Sequence, residues 1–200
     1  MKLRIRYNSP VVLTFAFLSA IVLLIDQVSG ATFIRSFFVL PPTFDSGSFL
    51  SWLKLVTYVI GHASWAHLIG NFAFILLIGP VLEEKYGSLP LLLMMLITAL
   101  ATALLNILLV HAGLLGASGI VFMLILLSSF TNIRQGEIPI TFLLVIALYL
   151  VREFVNALAP DTVSQLAHIA GGIIGGLFGF LFSHGEKTAE LPAPPPEKME

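Results

Sequence analysis

The chain has 200 residues, of which 58% are hydrophobic and only 10% charged, with a mean hydropathy of +0.99. A soluble fold of this size cannot bury that much apolar surface, because globular chains carry about a quarter charged residues; lipid must be the solvent for most of the chain. A formal net charge of −1 leaves no electrostatic footprint for nucleic acid, and the absence of cysteine excludes thiol catalysis, disulfides and Cys-ligated zinc.

A helix needs about 20 mostly apolar residues to cross the hydrocarbon core. Val11–Val28 is the first candidate. It is too long for the hydrophobic region of a signal peptide, about 7–15 residues, so it is expected to remain as an uncleaved span after a short segment, residues 1–9. The loop from Gly30 to about His62 is long, and its second half, Phe49 to Tyr58, mixes apolar and aromatic residues with Lys54, which suits either a segment lying in the outer interface or a buried structural loop. Ala63–Leu82 is the second span, ended by Pro80 and the cluster Glu83-Glu84-Lys85. From Tyr86 to Ile133 no Asp, Glu, Lys or Arg occurs, which suits two crossings broken at His111-Ala112-Gly113. Ile138–Ala157 and Val163–Phe182 complete six spans, and the membrane unit covers residues 10–184. Residues 185–200, rich in proline and charge, read as a disordered tail.

Six spans put both termini on one side. Lys2, Arg4, Arg6, Lys85, Arg134, Lys187 and Lys198 fall on that side, against Arg35, Lys54 and Arg152 on the other. The positive-inside rule then makes the termini cytoplasmic, in a multi-pass protein of the cell membrane.

Polar residues inside spans cost free energy unless partnered or functional, so they carry most of the information. His67, Asn71, Asn106, Ser118 and His168 stand out. Spans two, four and six all run inward, which brings His67, Asn71, Ser118 and His168 to one depth near the outer face. Asn106 suits an interhelical hydrogen bond. His67 and Asn71 are i,i+4 and share a helix face, with His62 off that face and nearer the interface. His168, Gly171, Gly172 and Gly175 form another face, small enough for close backbone approach, and Gly116-Ala117-Ser118-Gly119 offers small residues to meet it. Singly, each feature has an ordinary packing explanation. At one depth and on one contact face, together they favour a site.

This set resembles the rhomboid family of intramembrane serine proteases. The matching residues are His62, the run His67 to Asn71, Glu83 to Gly87, Gly116-Ala117-Ser118-Gly119, and Ala167-His168 with Gly171 and Gly175. The resemblance implies an all-α, six-span helical bundle with a Ser118–His168 dyad lacking an acidic third member. It also implies oxyanion support from His67 and Asn71, helix packing at Gly116, Gly119, Gly171 and Gly175, and no cofactor or metal. The implied substrates are transmembrane helices of other membrane proteins, cut near the outer face and entering sideways from lipid by a gate near span five, where Phe142 and Phe154 stand. The family's first loop often carries a Trp-Arg pair, whereas here Trp52 is followed by Leu53.

Overall fold

The computed structural model describes residues 6–130 and 165–183 and the isolated positions 140, 143, 144, 147 and 151; side chains at 130, 165–168, 180, 182 and 183 are outside the description. Pro10 opens the first helix, α1 (Pro10–Val28), where its missing N–H leaves nothing unpaired. The N–H groups of Val11 and Val12, orphaned at any helix start, are taken by the two carboxylate oxygens of Glu83, each at 3.0 Å. Glu83 is only 4% exposed, and its Oε1 also accepts from the Ser88 hydroxyl at 2.7 Å. A buried negative charge is tolerable here because three donors and a helix dipole meet it.

Glu83 belongs to α4 (Trp65–Tyr86), and Ser88 begins α5 (Ser88–Leu105), so one carboxylate ties the end of one long helix to the starts of two others. The helix does not stop at Pro80, where the sequence suggested an end, but runs on to Tyr86. Proline removes one ladder bond and crowds the carbonyl of Leu76, a defect that membrane helices absorb. Gly87, at φ +87°, terminates the helix instead. Along α1 and α4, Val12 packs over Gly79 and the rings of Phe15 and Phe72 lie 5.1 Å apart.

The first loop holds two short helices, α2 (Phe33–Phe37) and α3 (Phe49–Thr57). Asp26 at the foot of α1 accepts the N–H of Ile34 at 2.7 Å. Phe49, Trp52 and Leu53 are exposed, and Leu55 is buried. Bracing comes without a Trp-Arg pair: Trp52 Nε1 donates to the Ser46 carbonyl at 3.1 Å and meets Phe44 edge-on at 5.0 Å. Deeper in, Leu40 exchanges two backbone hydrogen bonds with Leu114, both 3.0 Å, and the Tyr58 carbonyl accepts from Gly116 N at 3.0 Å.

The break expected at His111–Gly113 is present. A π-helical turn, Asn106–Val110, extends α5 and ends at His111 in the left-handed region, φ +55°. Among the described residues Asn106 bonds within its own turn rather than to another helix, as the sequence suggested it would; its Nδ2 donates to the Ala112 carbonyl at 2.7 Å. The chain then enters α6 (Ser118–Phe130), against which α7 (Gln165–Ser183) packs.

Among the described residues three helices are long and apolar enough to cross a membrane: α1, α4 and α5 with its π turn. The apolar stretches of α6 and α7 are shorter, Ser118–Ser129 and Ile169–Gly179. The expected fifth span, with Phe142 and Phe154, and the tail from residue 185 lie outside the described residues, apart from isolated helical positions within the span.

Removing the shared carboxylate should loosen three helices at once. Glu83→Ala is expected to lower unfolding stability in micelles by about 1–3 kcal/mol, the cost of stranding buried donors. Glu83→Gln, keeping one carbonyl acceptor, should lose less, and alanine at exposed Glu84 almost nothing.

Candidate functional site

Ser64 caps α4, its hydroxyl accepting the N–H of His67 at 3.1 Å. That cap fixes the register of the first turn and sets His67 and Asn71 one above the other. Asn71 is buried, and its Nδ2 has no hydrogen-bond partner among the described residues.

Gly116 shows what lies opposite. Its φ is +107°, and a Cβ there would stand 2.6 Å from Cε1 and 2.7 Å from Nε2 of His67, with Asn71 Nδ2 at 3.7 Å. Only glycine fits that backbone and that gap. The edge of the His67 ring and the amide of Asn71 therefore lie over the backbone two residues before Ser118. Gly116 packs against α4, where the sequence suggested packing toward the last helix.

Ser118 is half-buried at the first position of α6. The helix's hydrogen bonding starts at Val121 N to Ala117 O, 3.0 Å, so the N–H groups of Ser118, Gly119 and Ile120 have no acceptor within the helix. These donors and the positive end of the dipole favour negative charge beside the serine.

The expected small-residue contact forms at Gly119. A Cβ on Gly171 would run into the Gly119 carbonyl, one on Gly175 into the Met123 carbonyl, and one on Gly172 would lie 2.9 Å from Phe122. His168 stands one turn before Gly171 in α7; its side chain lies outside the description. The structure thus brings His67, Asn71 and Gly116 together and sets the helix of His168 against that of Ser118.

Two features escaped the sequence reasoning. His62 is fully buried, its ring 5.0 Å from that of His67 and 5.7 Å from that of Phe72. Nδ1 lies 3.1 Å from the Ile60 carbonyl, which can only accept, so the proton sits there and Nε2 is a buried acceptor without a partner among the described residues. Burial is the main force holding this imidazole's pKa below its ordinary value; the Ile60 bond opposes it and the neighbouring His67 adds to it. The second is that Thr98 and Thr102 of α5 are buried in a row with Asn106, the one member already singled out, at i, i+4 and i+8. That spacing, within a stretch free of charge, was the available signal.

A family model described as Rhomboid domain matches residues 50–185. The chain is 27% identical over 152 residues to Rhomboid-like protein 11, chloroplastic, of Arabidopsis thaliana, covering 68% of this chain and 54% of that protein. It is 22% identical over 139 residues to Rhomboid protease GlpG of Haemophilus influenzae, covering 68% of this chain and 72% of that protein. The chain thus spans about half the length of the Arabidopsis relative it matches.

Gly116→Ala should cost about 1–3 kcal/mol of stability from backbone strain, with further displacement of the His67 ring, measured as a lower unfolding temperature. Acid should act through His62. Its folded pKa is depressed, so the stability it contributes is complete above the unfolded value of about 6.5 and is lost as pH falls below that. His62→Asn is expected to flatten this part of the stability–pH curve, followed by thermal unfolding in micelles.

Proposed function

Because the chain belongs to the rhomboid family of multi-pass membrane proteins, we propose that it is an intramembrane serine endopeptidase that uses Ser118 and His168 to cut transmembrane helices of other membrane proteins. Its bundle has six spans with both termini cytoplasmic, and cleavage occurs near the outer face. The observation that carries the proposal is the start of α6, where first-turn N–H groups without an acceptor in the helix stand at Ser118, the His67–Asn71 pair lies over Gly116 two residues before it, and α7 closes against Gly119.

In the first step Ser118 Oγ attacks the scissile carbonyl carbon and its proton passes to His168. The carbonyl oxygen takes the negative charge, held by the Ser118 N–H, the Asn71 amide and the His67 ring. As the C–N bond breaks, His168 returns the proton to the leaving amine. Water then repeats the sequence on the acyl-serine, freeing the acid and restoring the serine. The unspent Nδ2 donor of Asn71 supports this division of labour, because a buried donor without a partner is one that a developing oxyanion can use. A substrate helix shields its own peptide bonds, so small or helix-weakening residues are expected around the cut.

Cleavage of a transmembrane substrate co-reconstituted in liposomes tests this. Ser118→Ala and His168→Ala should each abolish product, whereas Asn71→Ala should leave activity reduced by about 10²–10³-fold, the worth of one oxyanion donor. Normal turnover by Ser118→Ala would overturn the assignment.

A further inference from the structure

We propose that the groove between α1 and α5 is a binding site for one acyl chain of an anionic phospholipid, drawn from the leaflet on the side of the chain's N-terminus. The groove has a volume of about 420 Å³. Pro10 and Ser88 stand at one end, Thr14, Leu18, Leu92 and Leu96 line its length, and Val59 and Ile60 stand at the other end, with Ile120 of α6 also in its wall.

Its lining selects an aliphatic ligand. Among the described lining residues the only polar side chains are Thr14 and Ser88, and both hydroxyls are already engaged, with Tyr7 at 2.9 Å and with Glu83 at 2.7 Å. Its length fits one leaflet. Pro10 to Leu18 and Ser88 to Ala99 rise about 12 and 16 Å at 1.5 Å per residue, and half of the hydrocarbon core is about 15 Å.

Charge specifies the headgroup. Arg6 and Lys85, both exposed, precede Pro10 and Ser88 at the groove's polar end. Among the described residues they outnumber the one exposed acid at this end, Glu84, because the charge of Glu83 is turned inward onto Val11, Val12 and Ser88. A phosphate at this level meets net positive charge while its chain fills the groove. The far end of the chain then rests against Ile60, whose carbonyl fixes His62, and against Ile120, two residues beyond Ser118. Bound lipid thereby backs the wall behind the candidate site, although its binding is measured without reference to proteolysis.

Native mass spectrometry of the full chain, extracted in mild detergent after equilibration with phosphatidylglycerol or phosphatidylcholine, tests the site. One phosphatidylglycerol per chain should survive, at least about fivefold more than phosphatidylcholine. The double variant Arg6→Gln, Lys85→Gln should erase that preference. Leu96→Trp or Leu92→Trp, which fill the groove from half-exposed positions, should lose the lipid at an unchanged unfolding temperature, and Leu93→Trp, outside the lining, should keep it. Retention of detergent or a peptide instead of phospholipid, equal retention of the two lipids, or lipid kept by both groove-filling variants would overturn the proposal.

Discussion

Where α7 crosses α6, backbone meets backbone: the Cα of Gly171 sits against the Gly119 carbonyl and that of Gly175 against Met123. Between helices in lipid no hydrophobic effect drives association, because the tails are as apolar as the side chains they would replace. Contact must come from close van der Waals packing, and small residues alone allow it. Any side chain at Gly171 would push α7 off α6 and carry His168, one turn away, with it. The proposed chemistry depends on this approach, since a serine and a histidine on separate helices act together only if their backbones are held close.

The other side of Ser118 is held differently. Its approach segment is anchored to the first loop by the Leu40–Leu114 bridge and by the Gly116–Tyr58 hydrogen bond. Gly116 lets the His67 ring and the Asn71 amide settle over the backbone. Glu83 then fixes the far end of α4 relative to α1 and α5. Polar groups thus do the positioning at both ends of α4, where in a low dielectric each satisfied hydrogen bond is worth most and each stranded one costs most.

The sequence carried the first three spans, the helix faces and the family, because these follow from periodicity and from polar residues out of place. His67 with Asn71, and Gly171 with Gly175, were legible as faces before any coordinates. What each face touches was not. Gly116 and Gly119 look alike in sequence, yet one yields to a histidine ring and the other to a helix; φ and tertiary contact distinguish them. Glu83 looked like part of a charged span end. Nothing local says that it, and not Glu84, turns inward, since the choice depends on the start of α1, about seventy residues earlier. Pro80 signals a break only if the helix has no reason to continue, and the bonds of Glu83 lie beyond it. Asn106 found its partner six residues away because the left-handed residue His111 turns the chain back after the π turn, bringing the Ala112 carbonyl within reach.

The central claim is that Ser118 is a nucleophile activated by His168. Fluorophosphonate labelling of the reconstituted protein, with the adduct mapped by peptide mass spectrometry, tests it most directly. The account predicts modification at Ser118 and its loss in His168→Ala at unchanged unfolding temperature. An adduct on another serine, or labelling of His168→Ala at the wild-type rate, would contradict it.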